Sequence, residues 1–428
     1  MWSTYLIQTT TGAIGPKIEG TFSWSLSKDD GEISLTLAKS AIPTFNSNTP
    51  YLTPWWGGVV LFWNSTPIMA GPITSIPNET FNTIQVSCKS IWSILNRRTP
   101  VRDMVDWNKI NTMEYRSQWN TVTPPGIKAD PKTETPISQS PFYNKEYYSM
   151  ARLTVEYSLK KNGGNLPIDF SAVPIVTNKQ DDFSDNNTTA FSDTDTSRNH
   201  FRIVKGPELN KTVASELKEI SDKVGGPEIT FRPYLNTAKQ SIVWKMLTGL
   251  REDKPNIPGD NTDVWDTTAH GSDITDLSVS SSGSKMMTRV FAQGPSNGDP
   301  INIQTNTGML KAGYPLLESL IRNKVGSKSS ATDVKNLAST YLAIDSKPRR
   351  VISGTIRANS EIHPLGTYWP GDTVTIVTAG WRSFPNGIIK AKIDSMSGDS
   401  SMNISVSFAE EMTNYEDLKQ IERMEGSE

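Results

Sequence analysis

The sequence predicts a mainly β protein with α+β parts, in which two small antiparallel β-barrels, one at each end of the chain, flank middle α+β domains. Two observations carry this prediction. Many short runs alternate apolar and polar residues, as strands with one buried face do. The 428 residues also include 27 Pro and 29 Gly, which mark tight turns, and 12 Trp and 12 Tyr, which favour strands. At this length we expect two to four domains.

The C-terminal block, residues 330–411, combines one helix with the second barrel. Ser330 can cap the amide of Asp333, and the apolar residues that follow at helical spacing are Val334, Leu337, Ala338, Tyr341 and Leu342. Four alternating runs come next and predict strands: Arg350–Arg357, Thr373–Thr378, Gly387–Met396 and Met402–Phe408. Turns at 369–372 and 385–387 contain Pro and Gly, which separate these strands.

The N-terminal block, residues 1–100, predicts a barrel or sandwich of five or more strands. A hairpin is expected from two alternating runs that flank the turn Lys28–Gly31, and the predicted strands of the block are Gly20–Leu26, Glu32–Leu37, Gly58–Trp63, Ile68–Ile73 and Asn82–Ser87. The run Lys89–Arg98 closes the block as a short helix or turn. Its inward-facing residues are Ile91, Trp92 and Leu95.

Two further domains are expected between these blocks. Residues 101–205 form an aromatic and polar region with one helix, Asn144–Asn162, and a long surface loop, Thr177–His200. Residues 206–329 form an α+β domain, with a helix and two strand pairs. The helix carries Val213, Leu217, Ile220 and Val224; the first pair is Glu228–Tyr234 with Gln240–Leu247, and the second is Ile274–Ser280 with Lys285–Ala292.

The acidic C-terminal segment, residues 412–428, carries apolar residues three positions apart: Met412, Tyr415, Leu418 and Ile421. This spacing is compatible with a loosely helical segment that docks on a neighbour. A solvated segment is equally compatible with its charge.

Composition excludes several classes of protein. A net charge of −2 argues against a protein that binds nucleic acid by neutralising phosphates. Cys88 is the single cysteine, so neither an intrachain disulfide nor a cysteine-rich metal site can form. The sequence has no run of about 18 apolar residues and no secretory signal at its start, so we expect no stable membrane insertion and synthesis in a cytoplasm.

No catalytic, cofactor-binding or metal-binding residue is expected from the histidines or the cysteine. His200, His270 and His363 lie far apart and match no zinc motif, so each is expected to be a surface or loop residue. Cys88 lies within the alternation of a strand, where a small buried apolar side chain is the favoured interpretation over a nucleophile.

Three weaker patterns leave alternatives open. An acidic loop could supply oxygen ligands to calcium, although a solvated loop is favoured; its carboxylates are Asp181, Asp182, Asp185, Asp193 and Asp195. Glu410 and Glu411 are adjacent in a strand and would point to opposite faces, which argues against paired glycosidase carboxylates. Some tryptophans could form a sugar platform or subunit interface rather than core, namely Trp55, Trp56, Trp63, Trp107 and Trp119.

The N-terminal block resembles the first barrel of tail hub proteins of long-tailed bacteriophages, called minor tail proteins in actinobacterial siphophages. The residues that carry the resemblance are the Phe22-Ser-Trp-Ser-Leu26 strand, Gly58–Phe62, Met69–Ile73 and the closing Gln85–Arg98 with its Leu-Asn-Arg. The middle segment Val213–Leu247 and three C-terminal segments are also similar: Trp369–Val374, Gly387–Ile393 and Asn403–Phe408. The region 99–205 does not share the pattern.

The resemblance implies a structural virion protein at the tail tip, without enzymatic activity. It implies a ring-shaped homotrimer that contacts the distal tail protein, the end of the tape-measure protein and the tip or fibre proteins, and that lines or closes the channel through which DNA passes in transit. The alternative is a tail module that binds, or also hydrolyses, cell-wall polysaccharide through the tryptophan-rich middle region.

Overall fold

A computed structural model describes most of the chain. The described residues are 1–42, 49–100, 145–160, 163–175, 201–202, 211–222, 227–249, 264–269, 272, 274–294, 300–322, 331–381 and 384–410. The expected loop 177–200, the predicted cap at Ser330 and the C-terminal segment from Glu411 lie outside these residues.

The described elements are mainly strands, with five helices. The strands are β1 (Trp2–Gln8), β2 (Ile14–Ile18), β3 (Gly20–Ser27), β4 (Gly31–Ala38), β5 (Gly57–Trp63), β6 (Thr66–Glu79), β7 (Thr83–Lys89), β8 (Lys145–Glu146), β9 (Ile168–Asp169), β10 (Phe201–Arg202), β11 (Glu228–Asn236), β12 (Ser241–Gly249), β13 (Val264–Asp266), β14 (Ile274–Ser282), β15 (Arg289–Gln293), β16 (Ile301–Thr305), β17 (Glu318–Arg322), β18 (Arg349–Arg357), β19 (Thr373–Val377), β20 (Ile388–Asp399) and β21 (Asn403–Glu410). The helices are α1 (Trp92–Leu95), α2 (Tyr147–Leu159), α3 (Val213–Asp222), α4 (Thr307–Lys311) and α5 (Ala331–Asp345). None of these described helices is long and apolar enough to span a bilayer. The expected fold class, mainly β with α+β parts, is confirmed.

The chain divides into two compact units. The first contains Met1–Thr262, Ile356–Asp372 and Ile393–Val406; the second contains Asp263–Thr355, Thr373–Lys392 and Ser407–Glu428. Each unit is therefore built from segments that are distant in sequence. The four sequence-based domain boundaries, after residues 100, 205, 329 and 411, stay a prediction.

The main sheet of the first unit begins with the predicted hairpin β3–β4, in which Trp24 lies opposite Ile33. β4 pairs with β7, and the order continues through β6, β5, β1 and β2. The alternation seen in the sequence corresponds to burial, because Phe22, Trp24 and Ile33 lie inside. The predicted strands of the N-terminal block are confirmed, and β1 and β2 are added to them.

The prediction of two separate barrels is wrong for the strands described here. The C-terminal strand β20 pairs antiparallel with β3, with Met396 opposite Leu26, so strands from both ends of the chain belong to one sheet. No strand among those described closes this order into a barrel. Alternation of apolar residues predicts each strand, but the partner of an edge strand depends on contacts that the sequence pattern does not contain.

A second layer of the first unit contains the hairpin β11–β12 and the helices α1, α2 and α3. β11 and β12 pair from Glu228 opposite Gly249 to Asn236 opposite Ser241, as the sequence predicted. One apolar core joins this layer to β1, β5 and β6, and its buried members include Val60, Trp92, Leu153, Leu217, Ile229 and Trp244. The indole Nε1 of Trp244 donates to the carbonyl oxygen of Ala70 at 3.2 Å, which fixes the layer to β6.

The second unit contains a three-stranded sheet in the order β16–β15–β17, covered on one face by α5. The residues in that interface are Met287, Val290, Ala292, Ile321, Val334, Ala338 and Tyr341. The helical face predicted from Val334, Ala338 and Tyr341 is therefore confirmed. The predicted pairing of 274–280 with 285–292 is wrong, since β14 pairs with β18 and β15 pairs with β16 and β17.

Candidate functional site

Most of the candidate polar residues do not come together in the described part of the chain. His363 is a loop residue, as expected, but it is buried at 5% exposure rather than on the surface. Its backbone N–H donates to the hydroxyl of Ser360 at 2.7 Å, a local contact within the loop after β18. His200, His270, the five aspartates of the acidic loop and Glu411 lie outside the described residues. Within those residues, no group of three or more His, Cys, Asp or Glu side chains could hold a metal ion.

Cys88 lies in β7 with no exposed surface. Burial raises the pKa of its thiol well above the usual range, and the nearby charge of Glu32 raises it further. A thiol that stays protonated and inaccessible is a poor nucleophile. The interpretation of Cys88 as a small apolar core residue is confirmed.

The candidate tryptophans are divided between core and surface. Trp63 is buried. Trp55 adopts a left-handed backbone, with φ 69°, and the guanidinium carbon of Arg97 lies 4.3 Å from its ring centre. Trp56 is 39% exposed and packs edge-on against Tyr51. Trp107 and Trp119 lie outside the described residues.

The structure instead brings together a buried charged junction in the first unit, which consists of Lys28, Glu228, Arg232, Trp369 and Asp372. Its first part is the turn at 369–372. Gly371 adopts φ +99°, a conformation that favours glycine, and one carboxylate oxygen of Asp372 accepts the backbone N–H of Trp369 at 2.8 Å. The turn is fixed to β20 by two backbone hydrogen bonds with Ile393, at 2.7 and 2.8 Å.

Arg232 reaches this turn from the buried first part of β11. Its Nη2 donates to Oδ1 of Asp372 at 2.9 Å, and its guanidinium carbon lies 5.1 Å from the ring centre of Trp369. Burial lowers the pKa of Arg232, and the charge and hydrogen bond of Asp372 oppose that shift. An arginine pKa is high enough that the side chain remains a cation at neutral pH, so this is a buried ion pair stacked on an aromatic ring.

The first residues of β11 are also connected to the turn of the β3–β4 hairpin. Lys28 lies 3.8 Å from Glu228, which is 3% exposed, and Thr230 donates its hydroxyl to the carbonyl oxygen of Lys28 at 2.9 Å. Helix α3 adds an ion pair from Lys218 to Asp29 at 3.1 Å. One strand thus connects the N-terminal hairpin with the turn that precedes β19.

The ends of the chain meet in this unit as well. The indole Nε1 of Trp2 donates to the carbonyl oxygen of Ser401 at 2.7 Å, and the N-terminal ammonium donates to Asn64. Together with the pairing of β20 and β3, these contacts hold three distant parts of the sequence in one body. The arrangement joins chain segments that are distant in sequence.

Sequence reasoning missed the junction, although one signal was present. Residues 228–232 are the buried first part of β11, yet both Glu228 and Arg232 are charged. A charge in a fully buried strand requires a partner. That signal predicts a partner without saying where in the sequence it lies.

Comparisons with known proteins give a likeness in structure alone. No family model and no curated protein matches the sequence. The 43 kDa tail protein of prophage MuSo2 from Shewanella oneidensis superposes with a TM-score of 0.51, over 95% of this chain and 98% of that one, at 10% identity. The tail protein from Neisseria meningitidis MC58 superposes with a TM-score of 0.48, over 96% and 97% of the two chains, also at 10% identity.

The likeness to the Shewanella protein extends over nearly the whole of both chains, so it concerns the whole fold. The chain therefore has the fold of a prophage tail protein. The resemblance to phage tail proteins, first seen in strands and turns of the sequence, is confirmed at the level of the fold.

Proposed function

We propose that this chain is a structural virion protein, the hub of a bacteriophage tail tip. The observation that carries the proposal is the whole-chain likeness in fold to the MuSo2 tail protein. The charged junction supports it, because a protein that joins other proteins must keep its own segments in fixed positions. We include in this proposal that the phage is of the actinobacterial siphophage type.

In this role the chain joins the tail tube and the distal tail protein to the tip or fibre proteins. It assembles as a homotrimeric ring, contacts the end of the tape-measure protein, and lines or closes the channel through which DNA leaves. The domain boundaries after residues 100, 205, 329 and 411 belong to the same proposal. Exposed apolar side chains support an assembly role, since contacts between subunits bury such residues; examples are Phe81 at 94% exposure and Ile362 at 63%.

Light scattering and electron microscopy test the ring. We expect the purified chain to have three times the 47.3 kDa mass of one copy when alone, or to contain three copies of this chain in the complex once its distal tail protein is added, and to give class averages with threefold symmetry. A mass of one copy under both conditions would contradict the proposal. A ring with a different number of copies would be consistent with the structural role but would contradict the homotrimer.

We also propose that the chain is not an enzyme. Incubation of the purified protein with host cell walls tests this directly. The expected result is no release of reducing sugar or free amino groups above a boiled-protein control. Release that scales with protein concentration would overturn the proposal and favour the polysaccharide-hydrolysing alternative.

A further inference from the structure

The outer face of the sheet β16–β15–β17 carries apolar side chains that no described element covers. Phe291 at the centre of β15 lies opposite Ile303 on β16 and Leu320 on β17. The neighbouring residues Val290 and Ile321 point to the other face and pack against α5. Because side chains alternate along a strand, Phe291, Ile303 and Leu320 share the outer face.

Three of the large apolar side chains that are exposed in the described part of the chain lie on this face: Ile301, Ile303 and Leu320. Leu320 is 69% exposed and Ile301 is 61% exposed. Single exposed apolar residues are ordinary, but a contiguous group usually marks a docking surface.

The size of the face favours a short peptide over a second folded copy. Three strands of five residues cover about 17 Å by about 14 Å, or roughly 240 Å², at the usual rise and strand spacing. A stable interface between folded proteins buries about 800 Å² on each side. The face alone is too small for such an interface, and its area is that of one peptide segment.

The excess of basic side chains on the face favours an acidic peptide. The charged residues on the three strands are Arg289, Arg322 and Glu318, all at outer-face positions, so basic side chains outnumber acidic ones on this face. Residues 411–428 of the same chain contain six acidic and two basic residues. That segment also carries Met412, Tyr415, Leu418 and Ile421, which could supply the apolar contacts.

The position of this segment in the chain favours binding to its own sheet. β21 ends at Glu410, within the unit that contains the sheet. Eighteen residues span at most about 60 Å when fully extended, so the segment has a long reach. A tether of this length gives an effective concentration on the order of 1 mM. We propose that residues 411–428 dock on the outer face of β16–β15–β17 of their own chain, whether or not the chain is a tail hub.

A spin label on the full-length protein tests the proposal. Gln420 lies between Leu418 and Ile421 in the segment, so Gln420→Cys carries a nitroxide without removing an apolar contact. The native Cys88 is fully buried and stays unlabelled while the protein is folded. We expect a spectrum broadened by immobilisation, and we expect it to persist on dilution by about 100-fold, because the tether fixes the local concentration.

Substitutions on the sheet give the decisive comparison. Ile303→Ser with Leu320→Ser should lower the immobilised fraction by roughly threefold or more, because two apolar contacts are lost. Ile388→Ser, at a 57% exposed isoleucine outside the face, is the matched control and should leave the spectrum unchanged. All three side chains are exposed, so folding should be retained, and a circular dichroism melt checks this.

Three results would overturn the proposal. Narrow lines in the parent protein would show that the segment is not docked. Broad lines that survive the double substitution would place it on another surface. Broad lines that become narrow on dilution would show that a second copy holds the segment, which rejects docking within one chain.

Discussion

Arg232 donates from Nη2 to Oδ1 of Asp372 at 2.9 Å, across 140 residues of sequence. The Asp372 side chain has no exposed surface and that of Arg232 is 10% exposed, so the pair is shielded from water. A buried pair of this kind depends on both partners, since removal of one leaves a buried charge without compensation. The position of the 369–372 turn against β11 therefore depends on this contact.

Asp372→Asn tests the pair. We expect the free energy of unfolding to fall by about 3–5 kcal/mol, because the buried cation of Arg232 loses its counter-charge. Urea denaturation followed by tryptophan fluorescence measures the change. Glu318→Gln is the control, because its pair with Arg289 is solvent-exposed and should contribute no more than about 1 kcal/mol. Equal effects of the two substitutions would show that the buried pair is not a main source of stability.

Gly12→Ala tests the contact between the β1–β2 turn and β12. Gly12 adopts φ +69°, and a Cβ added there would lie 1.9 Å from the carbonyl oxygen of Ile242. The backbone of β12 cannot move freely, because Ile242 also donates its N–H to the carbonyl oxygen of Gly12 at 2.8 Å. We expect a lower melting temperature than in the parent protein.

Gly163→Ala is the matched control for this substitution. Gly163 has nearly the same φ, +72°, but a Cβ there meets nothing within 4 Å. The substitution Gly163→Ala should lower the free energy of unfolding only by the cost of a left-handed backbone at alanine, about 1–2 kcal/mol. If Gly12→Ala is no more harmful than Gly163→Ala, the close approach to Ile242 is not what requires glycine.

Truncation of the two neighbouring isoleucines of β20 in the second unit should affect stability to very different extents. Ile389 is 1% exposed and lies opposite Ile376, whereas Ile388 is 57% exposed. We expect Ile389→Ala to cost about 2–5 kcal/mol, from lost burial and the cavity left behind. Ile388→Ala should stay within about 0.5 kcal/mol of the parent protein. Chemical denaturation measures both, and a reversed order would show that the strand faces the other way.

Cys88 makes stability depend on pH in the alkaline range. Burial raises the pKa of the folded thiol above that of the unfolded thiol, which is about 8.5. The folded state therefore keeps its proton while the unfolded state loses it. The stabilising contribution is fully present below about pH 8.5 and is lost as pH rises, by up to about 1.4 kcal/mol per pH unit.

Urea denaturation between about pH 8 and about pH 9.5 measures this loss, below the usual pKa of tyrosine near 10. Cys88→Ala should flatten the dependence on pH over this range, although it lowers stability at every pH by removing a buried sulfur. A thiol reagent gives an independent measure and should react only on unfolding. An unchanged slope in Cys88→Ala would assign the pH dependence to other groups.

Elements that depend on local spacing were predictable from the sequence. The helical face of α5 and the hairpins β3–β4 and β11–β12 appear where their apolar periods and turn residues placed them. Cys88 is buried as its strand alternation predicted. Each of these predictions uses contacts between residues close in sequence, where spacing alone fixes which side chains share a face.

Predictions about distant partners were less successful. The segment Ile274–Ser280 was expected to pair with Lys285–Ala292, but the observed strand β14 pairs with β18. His363 was expected to be a surface or loop residue; it lies in a loop, and its side chain is buried. A strand has two edges and one apolar face, so its alternation does not identify the strand that will hydrogen-bond to it.

Local patterns in the sequence were enough to predict the type of each main element, the buried face of most of them, and a resemblance in pattern to phage tail proteins. The three-dimensional structure was needed to show that β20 pairs with β3, that Arg232 contacts Asp372, and that Phe291, Ile303 and Leu320 share an uncovered face. The reason is physical. The periodicity of apolar residues shows which face of a helix or strand is buried. Which other element packs or pairs with it depends on competing contacts summed over the whole chain.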